Sequence, residues 1–484
     1  MRCDHLGARS KRIVALPVET IRHISNADQY DGRAHARSGI IKLIRDPSNY
    51  ASHIARQQQN FAEALAAGGY DHAIIAAGRP HEVFLDDNAY PFRVNPHFNV
   101  WAPLTASPES FLLIVPGEKP RLVFYSPDDY WHAAPQPPEA AIVEQFDVHQ
   151  VSAISEIPAL LKASGRGAFL GEWEQSYEDW NIGDPNPVAV LDWLHYHRAW
   201  KTEYELDCMR EAARLGATAH NAARDAFLAG ASEFDINAAY MKACQLTESE
   251  LPYGNIVAIN EHGAVLHYQH LDRSAPSGDA RLSFLIDAGA TYAGYASDIT
   301  RTYSARPGIF ADMIVAMDSA QLAMCDEVAA GTSFADLHLG AHQKIAALLE
   351  DFDIVRMSAE DIVATGVSSV FFPHGLGHYL GLQVHDTGGL MGGPDGSVLG
   401  RPDGHPFLRL TRTLEPGQVT TIEPGLYFIE KLLRDLRDMP QASEVNWDLV
   451  DQLTPYGGIR VEDDVAVGSD GPENLTRDAF ASLG

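Results

Sequence analysis

The chain has 484 residues, which at about 150 residues per domain predicts two to three domains. Its composition is that of a globular protein, with 45% hydrophobic and 21% charged residues. With 36 basic and 65 acidic residues the formal charge is −29, which argues against a nucleic-acid or membrane-surface partner because such a surface repels phosphate backbones and anionic lipids.

The first segment, residues 1–44, is rich in arginine and histidine and has no apolar periodicity. We interpret it as a poorly ordered extension. Its apolar run IVALPV is far shorter than the roughly 18 residues that a membrane span requires, and no small-residue cleavage site follows it. The chain has four cysteines without CxxC spacing, which favours free thiols in a reducing compartment over a disulfide scaffold or a zinc finger. We therefore expect a cytoplasmic protein.

Residues 45–185 alternate between helical and strand patterns. A helical pattern over residues 53–69 is followed by the apolar runs HAIIAAG, FLLIV and RLVFY, with turn residues between them. This order predicts an α/β N-terminal domain. We interpret the segment GDPNPV, residues 183–188, as the linker that ends it.

Residues 186–484 contain two similar helix junctions. A capping box, TEYE at residues 202–205, starts a long helix whose pattern lasts almost to the segment GASEFDI, in which Ser232 can cap a second helix. About a hundred residues later GTSFADL repeats this arrangement at Ser333. Strands with acidic residues follow each copy, which predicts a C-terminal α+β domain of two related halves.

Two aspartates lie on either side of a glycine-containing turn. The segment SFLIDAGATYAGYASDITRTY carries Asp287 and Asp298, and antiparallel pairing about residues 292–293 would bring their carboxylates opposite each other. A lone aspartate in such a place is more often an exposed turn residue. Two acidic residues within apolar strands are costly unless a cation neutralises them.

Further acidic and imidazole side chains follow in apolar or glycine-rich sequence. VFFPHGLGHYLGLQVHD contains His374, His378 and His385, VTTIEPGLYFI contains Glu423, and GGIRVEDDVAV contains Glu462. We expect Glu423 at the end of a strand and Glu462 inside another, with Arg460 on the same face. Four carboxylates and one imidazole suit two ions of the Mn²⁺, Co²⁺ or Fe²⁺ class, which together can support metal-assisted hydrolysis.

The order Asp, Asp, His, Glu, Glu resembles that of the pita-bread (creatinase/aminopeptidase) metallopeptidases. The longer motifs are similar to those of the bacterial Xaa-Pro dipeptidases, or prolidases, a subgroup that includes the organophosphorus acid anhydrolases. They are FLDDNAYPFRVNPHFNVW, LHYHRAWKTEYELDCMREA, LPYGNIVAINEHGAVLHY, HGLGHYLGLQVHDTGG and GGIRVEDD. The resemblance covers residues 45–470 and implies a creatinase-like α/β domain followed by a pita-bread catalytic domain with pseudo-twofold halves.

The resemblance implies two divalent metal ions, most simply Mn²⁺, and a role for each ligand. Asp287 corresponds to a terminal ligand of one ion, while Asp298 and Glu462 correspond to bridging ligands. His378 and Glu423 correspond to ligands of the second ion. Glu423 also corresponds to the general base that accepts a proton from the attacking water.

The resemblance also assigns three further histidines. His374 and His385 correspond to histidines that hold the scissile carbonyl and the substrate, and His267 in the motif VLHY corresponds to another active-site imidazole. Each of these histidines alone is more often a buried structural residue.

Two arginines receive roles in the same way. Arg460 corresponds to an arginine that orients Asp298 or Glu462 by charge-assisted hydrogen bonds. Arg409 corresponds to the prolidase arginine that binds the C-terminal carboxylate of the substrate, whereas Arg412 corresponds to an arginine present across much of the superfamily. The alternative interpretation of Arg409 is a solvated loop arginine.

Aromatic residues complete the expected substrate site. Tyr253 belongs to the motif LPYGNIVAINEHGAVLHY, and Trp101, with Tyr90 and Phe92, matches an aromatic stretch that reaches the neighbouring subunit's site in a homodimer. From the sequence alone, Trp101, Tyr90 and Phe92 are ordinary core aromatics.

Three hypotheses follow. The first is an Mn²⁺-dependent dipeptidase for substrates with a C-terminal proline, with organophosphate hydrolysis as a side activity. The second is an aminopeptidase P-like enzyme that removes Xaa from longer Xaa-Pro chains, against which Arg409 argues. The third is a metal-free pita-bread binding module, against which the complete set of five ligands argues.

Overall fold

A computed structural model of the chain describes residues 43–483 and the short strand Arg22–His23. The extension predicted for residues 1–44 therefore lies, apart from these few positions, outside the described residues. In the described part of the chain no helix combines the length and apolarity needed to traverse a lipid bilayer.

The first part of the chain forms a mixed seven-stranded sheet. Its strands are β1 (Arg22–His23), β2 (His72–Ala76), β3 (Phe111–Ile114), β4 (Arg121–Tyr125), β5 (Asp147–Val151), β6 (Gly167–Leu170) and β7 (Asp184–Pro185). The spatial order is β1-β5-β4-β3-β2-β6-β7, with β4–β5, β2–β6 and β6–β7 parallel. The helices are α1 (Pro47–Gly68), α2 (Pro96–Asn99), α3 (Ala140–Gln145) and α4 (Ile157–Leu160). This arrangement confirms the α/β expectation.

The predicted linker at residues 183–188 is wrong in its first half. Asp184 and Pro185 form β7, which pairs with β6 at the edge of the sheet. Proline lacks an N–H donor and is tolerated at a sheet edge, so the Pro and Gly content of this segment does not distinguish an edge strand from a linker. The division of the chain at residues 185 and 186 stays a prediction.

The second part of the chain contains the remaining helices and strands. Its helices are α5 (Val188–His197), α6 (Glu203–Leu228), α7 (Glu233–Cys244), α8 (Ile309–Asp326), α9 (Phe334–Asp351), α10 (Ala359–Ala364), α11 (Ser368–Phe371), α12 (Glu430–Arg437), α13 (Trp447–Leu453) and α14 (Leu475–Ser482). Its strands are β8 (Ile256–Ile259), β9 (Ser283–Asp287), β10 (Thr291–Tyr292), β11 (Tyr295–Ala296), β12 (Thr300–Ser304), β13 (Val419–Ile422), β14 (Gly425–Tyr427), β15 (Gly458–Arg460), β16 (Asp463–Val467) and β17 (Pro472–Asn474).

These elements form two halves of similar construction. In the first half α6 and α7 accompany the sheet β12-β9-β8, and in the second half α8 and α9 accompany the sheet β13-β16-β17. The predicted caps are confirmed: the Ser232 hydroxyl accepts a bond from the Asp235 N–H, and the Ser333 hydroxyl accepts one from the Asp336 N–H.

The register of the hairpin that carries the two aspartates differs from the prediction. Asp287 pairs with Thr300, so Asp298 lies two residues nearer the turn, on the same face and not directly opposite. The reason is the turn itself. Ala293 and Gly294 both adopt left-handed conformations, with φ of 53° and 86°, and form a two-residue turn one position beyond the predicted centre.

The same turn joins the two parts of the chain. The Asn99 side-chain amide donates to the carbonyl of Ala293 at 3.0 Å. A Cβ atom on Gly294 would lie 2.2 Å from Asn99 Nδ2, so glycine, which also tolerates the left-handed φ of 86°, is favoured here and any other residue would displace Asn99. Around it Trp101 and Tyr295 belong to one continuous hydrophobic core that extends from the N-terminal sheet to α6.

Candidate metal centre and active site

The two aspartates meet beneath a tyrosine hydroxyl. The Tyr253 hydroxyl oxygen lies 2.7 Å from Asp287 Oδ1 and 2.5 Å from Asp298 Oδ1. Asp287 ends β9, and Asp298 lies between β11 and β12, so one hairpin positions both carboxylates. The single proton of the hydroxyl can serve only one of them at a time.

His378 faces these carboxylates through one ring nitrogen. Its Nδ1 donates to the carbonyl of Tyr379 at 2.9 Å, which leaves Nε2 3.5 Å from Asp298 Oδ2 and 3.7 Å from Glu423 Oε1. Burial disfavours the charged ring, but its interaction with the Asp298 carboxylate, which accepts from Nε2, and the charge of Glu423 outweigh burial and raise the pKa of His378. A backbone carbonyl on Nδ1 is the usual device that presents Nε2 to a metal.

The two glutamates approach from the second half of the domain. Glu423 directly follows β13, as predicted, and Pro424 separates it from β14. Glu462 lies between β15 and β16 in an isolated bridge with Thr300, so the expectation of a position inside a strand is wrong. The Thr300 hydroxyl donates to Glu462 Oε2 at 2.6 Å and fixes that carboxylate.

The buried acidic groups destabilise one another's charge. Burial and the neighbouring carboxylates raise the pKa of Glu462 well above its ordinary value, and burial raises that of Glu423 to about 7 against the opposing charges of His378 and Arg460. Potential ligand atoms of Asp298, His378 and Glu462 all lie within 4.8 Å of one another. An oxygen-rich, negatively charged donor set of this kind fits divalent cations, which would relieve the repulsion.

Arg460 contacts a different carboxylate from the one expected. Its Nη2 donates to Asp287 Oδ2 at 2.7 Å, and its other groups donate to the Thr300 and Tyr427 hydroxyls at 3.2 and 2.9 Å. The expected bond to Asp298 or Glu462 is absent among the described contacts. Thr300, which pairs with Asp287 across β9 and β12, also accepts a bond from Arg460, so the guanidinium lies beside Asp287.

His374 has both ring nitrogens engaged. Nδ1 lies 2.9 Å from the carbonyl of Gly375 and must donate to it, so Nε2 accepts a bond from the Tyr427 hydroxyl at 2.8 Å. Burial and the nearby Arg460 charge lower the pKa of His374 to about 3, which agrees with a neutral ring. Its Nδ1 lies 3.7 Å from Glu423 Oε2.

A large cavity of about 2330 Å³ opens onto this centre. His267 and His385 both line it, and the His385 ring packs edge-on against His378 with 4.5 Å between the ring centroids. Burial, followed by the charges of His378 and Arg409, lowers the pKa of His385 to about 4. The His385 ring forms no hydrogen bond with the described residues, so it remains available to a bound molecule.

The two candidate arginines occupy different places. Arg409 is exposed and lines the cavity, where it makes no hydrogen bond or ion pair with the described part of the chain. Arg412 is buried, and its guanidinium lies over the rings of Tyr196 and Trp200 at 4.1 and 4.7 Å. Of the two, only Arg409 presents its charge to the cavity.

Trp101 does not lie at the site. Its side chain has 0% exposure and packs against Phe61, with 5.0 Å between the ring centroids. A side chain without exposed surface cannot contact a substrate, so the expectation of a substrate contact at Trp101 is wrong and the alternative, an ordinary core aromatic, holds. From the same stretch Phe92 does line the cavity, and Tyr90 is 57% exposed.

Three residues that support the site were not identified from the sequence. Thr300 and Tyr427 hold Glu462, Arg460 and His374, and the Asp464 carboxylate accepts a bond from the Asp298 N–H at 3.1 Å. The position of Thr300 two residues after Asp298 was a usable signal, because such residues share a strand face. Tyr427 and Asp464 carry no comparable signal.

Comparisons with known proteins agree with this geometry. Residues 48–196 match the N-terminal domain of Xaa-Pro dipeptidase, and residues 207–469 match metallopeptidase family M24. An Xaa-Pro dipeptidase of Aeromonas hydrophila is 48% identical over 89% of this chain and 98% of its own length. One of Xanthomonas campestris is 50% identical over 90% and 98%, respectively.

Solved structures share the fold. Pseudomonas aeruginosa aminopeptidase PepP superposes with a TM-score of 0.67 at 24% identity and covers 91% of this chain and 99% of its own. E. coli aminopeptidase P with the inhibitor Pro-Leu gives 0.65 at 25% identity over 89% and 95%. Fold and site together define a metal-dependent peptidase with a pita-bread catalytic domain. Within that class, the chain belongs to the Xaa-Pro dipeptidase family.

Proposed function

We propose that this protein hydrolyses Xaa-Pro dipeptides to a free amino acid and proline. The observation that carries the proposal is the presence, in one cavity, of the buried carboxylate cluster and of an Arg409 guanidinium without an anionic partner in the described chain. A dipeptide offers a terminal carboxylate at a fixed distance from its scissile carbonyl, and arginine is suited to bind such a group.

We assign the binding of two divalent ions to Asp287, Asp298, His378, Glu423 and Glu462. When bound, such ions polarise a carbonyl and lower the pKa of a coordinated water. Mn²⁺ is the proposed metal because oxygen donors dominate the set.

Glu423 is the proposed proton acceptor. Its carboxylate lines the cavity beside His378, and a carboxylate within hydrogen-bond reach of the attacking water can accept its proton. We propose that Glu423 takes the proton of the attacking water and delivers it to the proline nitrogen as the tertiary amide breaks.

The surrounding residues have separate proposed tasks. His385 and His267 face the cavity with ring nitrogens that contact the substrate. His374, whose two nitrogens are engaged by Gly375 and Tyr427, is proposed to support the wall beside Glu423 and the Tyr427 hydroxyl rather than to contact the substrate, a different role from the one that the resemblance implied. Arg460 and Tyr253 hold Asp287 in place, so Tyr253 acts on the ligands and not as a substrate contact.

A second candidate function is removal of Xaa from longer Xaa-Pro chains, which the similarity of the fold to aminopeptidase P favours. Hydrolysis of Ala-Pro and Ala-Pro-Ala by the Mn²⁺-loaded protein distinguishes the two. Strong preference for the dipeptide supports the proposal, and equal kcat/KM for both peptides would assign the aminopeptidase activity instead.

We also propose a cytoplasmic homodimer. Phe84 and Leu85 are 85% and 91% exposed on the loop that precedes Tyr90, and a second subunit would cover them. A low activity on organophosphate esters is proposed on chemical grounds, because water activated beside a carbonyl site can also attack phosphorus. Sedimentation equilibrium and an assay with a phosphotriester test these two statements.

A further inference from the structure

Three histidines outside the carboxylate centre meet between α9 and the loop of residues 399–408. His338 and His342 lie four residues apart, on one face of α9. His338 Nε2 lies 2.9 Å from His405 Nδ1, and the rings of His342 and His405 have centroids 4.6 Å apart. One ring nitrogen from each of the three lies within 4.8 Å of the other two.

The hydrogen bonding of this cluster is incomplete. His338 and His342 are 1% and 2% exposed, yet His338 Nδ1 and His342 Nε2 have no hydrogen-bond partner among the described residues. Leaving a buried polar atom unpaired costs free energy, so such atoms need an explanation. The remaining nitrogen of His342, Nδ1, is held by the Ser368 hydroxyl at 3.0 Å, which fixes the ring and leaves Nε2 for another partner.

The three rings are electrically neutral. Burial and the neighbouring imidazoles lower the pKa of His338 to about 3 and that of His342 to about 4, and burial also lowers the pKa of His405. Each neutral ring therefore carries one lone pair, and that of either His338 or His405 accepts the hydrogen bond between them. A neutral imidazole with its second nitrogen hydrogen-bonded is the form in which histidine binds a metal, and His342 already has this form because Ser368 holds its Nδ1.

We propose that His338, His342 and His405 bind one zinc-class ion, at a site separate from the dinuclear carboxylate centre. Three imidazoles with an open fourth position are a common zinc environment, and imidazole suits Zn²⁺ better than it suits the oxygen-preferring Mn²⁺. Zinc would replace the hydrogen bond between His338 Nε2 and His405 Nδ1. These two nitrogens are already 2.9 Å apart, so reaching nitrogen–zinc distances of about 2.0–2.1 Å requires little movement.

The ion would join α9 to the wall of the active-site cavity. The loop that carries His405 packs on Gly375, where a Cβ atom would meet Leu408 Cα at 3.0 Å. Phe407 and Arg409, on either side of Leu408, line the cavity. Zinc at the three histidines would therefore hold Arg409 in a fixed position. The importance of this effect rests on the proposed function, but the proposal of a zinc site is independent of that function.

The test uses the full-length protein loaded with Mn²⁺ and then equilibrated with a molar excess of ZnCl₂. After gel filtration, elemental analysis gives the sum of manganese and zinc per chain. Replacement of manganese by zinc at the carboxylate centre leaves this sum unchanged, so it reports only on additional sites. We expect wild type to bind one ion per chain more than His405→Gln, a change on a half-buried loop residue. His132→Gln, at an exposed histidine of the N-terminal domain, serves as the matched control and should equal wild type.

A crystal of the zinc-treated wild type provides the second measurement. Anomalous scattering at the zinc absorption edge should give a peak between the three rings, even if His405→Gln folds poorly. Equal metal content in wild type and His405→Gln, or no anomalous peak between the rings, would overturn the proposal. Neither result depends on peptidase activity, so a failure of the proposed function remains distinguishable.

Discussion

The guanidinium of Arg460 donates from Nη2 to Oδ2 of Asp287 at 2.7 Å and thereby joins β15 of the second half to the end of β9 in the first. The pair is buried, since the two side chains are only 5% and 14% exposed. The contact is sensitive to geometry, because a largely buried charge that loses its partner is poorly compensated by water.

Replacing Arg460 by lysine should therefore lower activity while the protein still folds. Lysine keeps the positive charge but cannot bond Asp287, Thr300 and Tyr427 at once. We expect kcat/KM to fall about 10- to 100-fold, the usual cost of disturbing a group that orients a metal ligand. Steady-state kinetics at saturating Mn²⁺ measure the loss. Arg306→Lys, at an exposed pair with Asp279, should leave activity unchanged.

Glu423→Gln should lower kcat far more than it changes KM. The amide can still face a cation through its oxygen but cannot accept a proton, so we expect kcat to fall by about 10²- to 10⁴-fold with a much smaller change in KM. Preserved kcat with a raised KM would show that Glu423 is not the proton acceptor.

Arg409→Ala should weaken discrimination against longer peptides. A tripeptide places an amide where the dipeptide has its carboxylate, and loss of a charge-assisted pair costs about 2–5 kcal/mol, or about 30- to several-thousand-fold in kcat/KM. We expect the ratio of kcat/KM for Ala-Pro over Ala-Pro-Ala to shrink accordingly.

Lys431→Ala is the control for Arg409→Ala, because Lys431 also lines the cavity but pairs with Asp435. If both variants keep the wild-type ratio, Arg409 does not bind the carboxylate. If the lysine variant alone shrinks the ratio, the carboxylate site lies on α12 instead.

Removal of metal should abolish activity and lower the melting temperature. Without cations, the carboxylates of Asp287, Asp298, Glu423 and Glu462 face one another in buried surroundings. Dialysis against a chelator, followed by calorimetry and an activity assay, measures both effects, and added Mn²⁺ should restore them. Full activity after exhaustive chelation would contradict the proposed mechanism.

Asp386→Asn should destabilise the fold in a pH-dependent manner. Asp386 accepts bonds from Arg198 and, at 3.1 Å, from Lys201 Nζ. Burial opposes its charge, but these two cations outweigh it and lower the pKa of Asp386 in the folded protein. The stabilisation is therefore present above the unfolded-state pKa of about 3.9 and is lost as pH falls through the lower folded-state pKa.

At pH 7 we expect Asp386→Asn to lower the free energy of unfolding by about 3–5 kcal/mol, because two buried cations lose their partner. Urea unfolding at pH 7 and below pH 4 should show that the difference in free energy of unfolding between wild type and Asp386→Asn becomes smaller in acid. Asp128→Asn, at an exposed site, should differ little from wild type at either pH. A difference independent of pH would mean that the carboxylate charge does not contribute.

The sequence contained enough local information to predict the helix caps and the approximate places of the candidate ligands. Ser232 and Ser333 precede acidic residues at capping distance, and this relation depends only on nearby positions. Glu423 likewise precedes a proline that ends its strand. Such short-range signals are enough to predict features that depend only on residues close together in the sequence.

Long-range relations were not predictable in the same way. The offset between Asp287 and Asp298 depends on whether Tyr292 or Gly294 enters the turn with Ala293, and the observed turn receives a hydrogen bond from Asn99, almost two hundred positions away. The histidine cluster joins His338 and His342 on α9 to His405, more than sixty positions away, and no spacing motif in the sequence predicts that contact.

The contact between Asn99 and the Ala293–Gly294 turn has a consequence for recombination among relatives. The turn belongs to the same hairpin as Asp287 and Asp298, so the N-terminal domain directly supports the backbone of two candidate ligands. A chimera that takes its N-terminal domain from a homologue must bring a small donor at position 99 and keep glycine at 294. Where that match fails, we expect the exchanged domain to fold but the hairpin with Asp287 and Asp298 to shift. The two domains should therefore be exchanged between homologues only together.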